Sequence, residues 1–118
     1  RSQAVRALSE NRLAGKVVVT GQDADLAACQ RIVEGTQTMT VYKPVPKLAK
    51  AAAEYAVKLA RGGKIEVAET IDDGKYKVPF VKLEPIAVTR DNIDDVIING
   101  DYQIKKDVYL NVPQDTEE

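Results

Sequence analysis

The stretch KVVVTGQDADLAACQRIVEGTQTMTVYKP, residues 16–44, decides the fold. It opens on KVVVT, residues 16–20, a nearly unbroken β-branched run. A run without polar alternation predicts a strand buried on both faces, as in parallel sheets. Gly21 to Asp25 reads as a loop. Residues 26–34 predict a helix whose apolar stripe is Leu26, Cys29, Ile32 and Val33. Asp25 stands where an N-cap belongs, and Gly35 stands at the C′ position. Residues 36–42 (TQTMTVY) predict the next strand, which Pro44 and Pro46 stop. Strand, helix and strand joined by short connections make the repeating unit of a parallel sheet.

The flanks extend the pattern. Residues 2–10 predict a helix, with Ala4, Val5 and Leu8 on one face. Residues 46–61 carry the clearest helical period, with Leu48, Ala52, Tyr55 and Leu59 on one side. Lys47, Lys50, Glu54, Lys58 and Arg61 line the other side, which reads as a solvated face, and Gly62 and Gly63 end the helix. Residues 65–70 and 75–83 flank the turn signal Asp72-Asp73-Gly74 and predict a hairpin, with Pro79 at an edge or bulge. Residues 86–88 predict a short strand or a crossover. A last helix over 91–99 has Thr89 or Asp91 as its cap, Ile93, Val96 and Ile97 facing inward, and Gly100 at its end. From Asp101 the chain turns polar, and 113–118 (PQDTEE) reads as a disordered tail. The class is α/β, with right-handed crossovers in a doubly wound parallel sheet. Two firm parallel strands are too few for a self-sufficient layer, so part of the sheet is expected elsewhere.

Composition removes several chemistries. The chain has 118 residues, 44% apolar and 30% charged, which is one globular domain's worth. Its 17 basic and 18 acidic side chains leave a net charge of −1, so it has no basic surplus for a nucleic-acid backbone. There is no His, which removes imidazole catalysis and His–metal sites. Its one Cys, Cys29, can form no internal disulfide and, on the apolar stripe, reads as a core group. No activated nucleophile and no Gly-rich phosphate loop stand out, so the chain reads as a non-enzyme. It begins at Arg1, without Met, and reads as a fragment or processed piece.

In an open parallel sheet, ligands bind beyond the carboxyl ends of the strands. Strand 16–20 runs into Asp23, and strand 36–42 runs into Lys43. Neighbouring strands lie about 4.8 Å apart, so parallel strands bring Asp23 and Lys43 to one edge. A carboxylate only accepts hydrogen bonds and an ammonium only donates them, a pairing suited to the hydroxyl and ring oxygens of a neutral sugar. That chemistry needs no cofactor. An Asp between a strand and a helix is more often an N-cap, but Asp25 is better placed for that task and leaves Asp23 for a ligand. A Lys before Pro at a strand end is more often simply solvated.

Residues 20–44, TGQDADLAACQRIVEGTQTMTVYKP, resemble the C-terminal part of type I periplasmic sugar-binding proteins of ABC transporters, above all the members that bind D-xylose. A weaker likeness continues through PIAVTRDNIDDVI to about residue 105. The resemblance implies a periplasmic-binding-protein type I fold, two α/β lobes that close on a monosaccharide. It implies that Asp23 holds sugar hydroxyls and that Lys43 contacts the sugar near the hinge. Residues 1–43 and 85–112 would belong to the C-terminal lobe, and 44–84 to the hinge crossing and the N-terminal lobe. The implied partners are D-xylose, the remaining N-terminal part of the same protein, the transporter permease and a membrane sensor kinase. The implied location is extracytoplasmic, in the periplasm or on a lipid anchor. The family chain is over twice this length, and its Asn-Asp ligand segment would lie just before Arg1.

Two other classes compete. A receiver-type signalling domain is also doubly wound and carries acids and a Lys-Pro at strand ends. Its phospho-accepting aspartate should lie on a strand between Asp23 and Lys43, where this chain has no acid at a strand end. The third class is an interaction module for a membrane sensor kinase.

Overall fold

Ser2–Glu10 forms helix α1 in the computed structural model, which describes residues 2–113. The chain groups into two compact units, one from the residues up to Tyr42 with those from Ile86 onward, the other Lys43–Pro85.

The first unit holds a three-stranded sheet. Strand β1 is Thr20–Gln22, β2 is Met39–Tyr42 and β5 is Ile86–Val88, in the spatial order β1-β2-β5. β1 and β2 pair in parallel, with Thr20 opposite Met39 and Gln22 opposite Val41. Helix α2, Leu26–Glu34, makes the crossover between them. β5 returns antiparallel, with Ile86 opposite Tyr42, so the sheet is mixed and not purely parallel. The α/β class stands, as a partial fold.

α2 forms where its signals predict. Asp25 has extended backbone, and its side chain accepts from the Ala28 N–H at 2.6 Å. Gly35 takes the left-handed conformation, φ 83°, and its N–H closes on Arg31 and Ile32 carbonyls. Ala28, Cys29, Ile32 and Val33 are buried, with Leu26 partly so. They pack with Ala24, Tyr42, Val88, Ile93, Ile97 and Val108 into one core. Each fully buried Ile or Val contributes about 1.5–3 kcal/mol relative to exposure.

Three expectations need correction. The run 16–20 is not the buried strand: the ladder starts at Thr20, and Val17 and Val18 are 43% and 74% exposed. Of the three valines, Val19 bonds to the next strand's segment, its carbonyl accepting from the N–H groups of Thr38 and Met39 at 2.8 and 3.4 Å. A β-branched run reports affinity for burial, not ladder register, and among the described residues nothing covers Val18. The helix expected over 91–99 narrows to a wide π-helical segment, Asp94–Ile98. Asn92, not Thr89 or Asp91, ties its entrance: its Oδ1 accepts from Thr89 N–H at 2.9 Å and its Nδ2 donates to Ala87 O at 2.9 Å. The segment after Asp101 is no mere polar continuation. Helix α4, Lys105–Val108, buries Val108, and Gln30 Nε2 donates to Asp107 O at 2.9 Å. The expected disordered tail, 113–118, lies outside the described residues except for Pro113.

Tyr109 and Lys105 pin α4 to the π-helical segment. The Tyr109 hydroxyl donates to Asp94 Oδ1 at 2.7 Å, and Lys105 Nζ donates to Asp94 Oδ2 at 3.1 Å. Burial pushes the Asp94 carboxyl up, but these two donors outweigh it and hold it below its usual value. Burial, then Asp94, pushes the Tyr109 phenol up to about 12.

In the second unit, α3 spans Val45–Ala60, with Pro46 in its first turn, where a missing N–H costs nothing. Its apolar face has the predicted period but no buried residue, and Leu48 and Leu59 are both more than half exposed. Strands β3, Glu69–Asp72, and β4, Lys77–Phe80, form an antiparallel hairpin with Asp72 opposite Lys77. Asp73 Oδ1 accepts from the N–H groups of Tyr76 and Lys75 at 2.6 and 2.8 Å, which closes the loop and lowers its carboxyl pKa. Pro79 stands opposite Thr70 in this two-stranded ladder, at an edge as expected.

Candidate functional site

Asp23 and Ala24 follow β1 directly, and both have positive φ, 83° and 50°. The left-handed region costs an L-residue about 1–2 kcal/mol; Asp tolerates it better than Ala. Two consecutive such residues persist only where their surroundings over-determine them. Here the Asp23 N–H donates to Val41 O at 2.7 Å, and the Ala24 N–H donates to the buried Thr40 Oγ1 at 3.2 Å. The carbonyls are held too. Asp23 O accepts from the Tyr102 hydroxyl at 3.2 Å. Ala24 O accepts from Gln103 Nε2 at 3.4 Å and from Cys29 Sγ at 3.5 Å. Ala24 is buried and Asp23 is exposed, at the carboxyl end of β1.

Both acids of this turn are exposed. Asp25 caps α2. Asp23 stands two residues earlier, just beyond β1. An exposed carboxylate accepts hydrogen bonds from hydroxyls, and hydrogen bonds to a charged partner contribute about 1.5–3 kcal/mol each.

Tyr42 closes β2 and is buried, with its ring centroid 4.7 Å from that of Tyr102 at 44°. Burial, then the neighbouring Tyr102, raises its phenol pKa. Lys43 is the next residue and opens the second unit. It is exposed and lines a concavity of about 250 Å³ with Pro44, Leu48, Phe80, Leu83 and Pro85. Asp23 therefore belongs to the first unit and Lys43 to the second.

Cys29 is fully buried, and burial, then the nearby Asp25, pushes its thiol up to about 11 despite Arg31. Such a thiol is protonated at neutral pH and inert. Among the described residues no cluster of Cys, Asp and Glu is arranged to hold a metal ion, and no helix is long and apolar enough to cross a membrane.

Sequence reasoning missed Thr40, Tyr102 and Gln103, which fix the Asp23–Ala24 backbone. Thr40 sits on a predicted strand, but nothing local marks its hydroxyl as the partner of Ala24. Tyr102 lies 79 residues from Asp23 in a polar segment, so no periodicity or spacing joins them.

Residues 1–64 match the periplasmic binding protein domain. Over 106 residues the chain is 50% identical to the D-xylose-binding periplasmic protein of Haemophilus influenzae, covering 90% of this chain and 32% of that one. It is 48% identical over 99 residues to the D-xylose-binding periplasmic protein of Escherichia coli, covering 84% and 30%. The crystal structure of a carbohydrate transporter solute-binding protein from Chloroflexus aurantiacus, in complex with D-glucose, superposes with a TM-score of 0.71 at 39% identity, covering 76% of this chain and 26% of that one. The chain spans about a third of the length of the curated relatives it matches. Because the domain match takes in more than half of the residues and the fold agrees, the chain belongs to the periplasmic binding protein family, of which it carries a partial fold.

Proposed function

We propose that the protein is the solute-binding component of an ABC sugar transporter and that its ligand is D-xylose. The observation that carries this is the identity of 50% and 48% with two proteins that bind D-xylose. The exposed carboxylate of Asp23 at a strand's carboxyl end supports it independently, because that is where open α/β sheets bind ligands.

In this proposal Asp23 accepts hydrogen bonds from sugar hydroxyls and Lys43 donates to sugar oxygens. The remaining part of the polypeptide supplies the other contacts. Residues 1–43 and 85–112 belong to the C-terminal lobe and 44–84 to the N-terminal lobe. The grouping of the chain into units changes at Tyr42/Lys43 and at Pro85/Ile86, within one residue of these bounds, and supports this division. Contacts made only when the lobes are closed shift the open–closed equilibrium toward the form that a permease receives. The protein works outside the cytoplasmic membrane and carries out no reaction on the sugar. It has no His, and its single thiol is buried and protonated.

A second reading is a hexose ligand, favoured by the D-glucose bound in the Chloroflexus aurantiacus relative. Calorimetric titration of the intact protein with D-xylose and D-glucose separates the two. D-xylose is expected to bind at least tenfold more tightly. Tighter binding of D-glucose selects the hexose reading, and no heat with either sugar overturns both.

A further inference from the structure

We propose that Tyr102 is a positioning residue for sugar binding: its hydroxyl holds the Asp23 carbonyl and its ring holds Tyr42, so that one side chain sets the backbone from which the Asp23 carboxylate projects. The inference rests on the reading of Asp23 as a sugar contact.

The Asp23–Ala24 kink is strained, with φ of 83° and 50°. Tyr102 donates to Asp23 O at 3.2 Å, and Gln103, its neighbour, donates to Ala24 O at 3.4 Å. Both anchors are themselves fixed, because the N–H groups of Tyr102 and Gln103 donate to Ile97 O at 3.0 and 3.3 Å. The same Tyr102 ring lies 4.7 Å from the ring of Tyr42, the last residue of β2 and the one before Lys43. A carboxylate that must meet hydroxyls in one geometry depends on a backbone that cannot relax. Small misplacements of such groups are costly, and supporting hydrogen bonds prevent them. Tyr102 acts on the sugar only through Asp23.

The test is a double-mutant cycle in the intact protein, read by titration with D-xylose. Tyr102→Phe keeps the ring against Tyr42 and removes the donor. It is expected to weaken binding about threefold to tenfold, as the loss of one hydrogen bond does. Asp23→Asn is expected to weaken binding at least tenfold. In the Asp23→Asn background Tyr102→Phe is expected to add nothing, a coupling that a merely structural role would not produce. Unchanged affinity in Asp23→Asn overturns the Asp23 reading and this inference with it. Weak binding in Asp23→Asn, with Tyr102→Phe either silent or equally damaging in both backgrounds, overturns the positioning role alone.

Discussion

The backbone N–H of Asp23 donates to the carbonyl of Val41 at 2.7 Å, one residue beyond the last Cα pair of the β1–β2 ladder, Gln22 with Val41. The parallel pairing thus carries on into the loop, and Asp23 is fastened to the sheet where ordinary loop residues would drift. The left-handed turn that follows sends Ala24 into the core and leaves the acid exposed. Register, strain and burial act together at one point of the chain.

The capping acid next door is separable from this role. Asp25→Ala removes the acceptor of the Ala28 N–H at the start of α2. It is expected to lower stability by about 1 kcal/mol, read as a lower denaturant midpoint at unchanged slope. Sugar affinity should stay within about twofold in this variant, since a cap contributes to folding and not to the ligand. A large loss of affinity with full stability would assign Asp25 the role given to Asp23.

Much of this part of the chain is legible locally. The caps Asp25 and Gly35 lie within a few residues of the helix they bound, and α1, α2 and α3 form within one residue of their expected spans. The capping role of Asp25 follows from the same local geometry. What is not legible is long-range. The run 16–20 looks like a buried strand because Val17, Val18 and Val19 favour burial, yet ladder register depends on the partner strand, and here it begins at Thr20. Val108 and Tyr102 lie in a polar stretch where each apolar side chain looks isolated, and only the folded core brings them to Ile97 and Tyr42. The π-helical widening at Asp94–Ile98 has no composition signal of its own.

Asp94 gives the fold a pH dependence with a definite sign. Its folded pKa lies below the ordinary carboxylate value, with the Tyr109 hydroxyl and Lys105 as the lowering contacts. A depressed carboxyl adds stability above the unfolded-state pKa of about 4 and loses it as pH falls through the folded value. Asp94→Asn should therefore destabilise at pH 7 and converge with the wild type at a pH below the lowered folded value, under denaturant unfolding. Parallel curves at both pH values would show that the contact has no charge component. Tyr109, pushed up to about 12, acts at the other end: its contribution is complete below pH 10 and is lost as pH rises through about 12.

Cys29 offers a probe of the core. A fully buried thiol with its pKa pushed up to about 11 should resist an aromatic disulfide reagent in the native protein and react promptly once denatured. Labelling of the native protein at the rate of a free thiol would contradict the packing of α2 against the sheet.

The most direct measurement is isothermal titration of D-xylose into the intact protein and its Asp23→Ala and Lys43→Ala variants. Each substitution is expected to weaken binding at least tenfold. Wild-type affinity in both variants would contradict the assignment of the sugar contacts to Asp23 and Lys43.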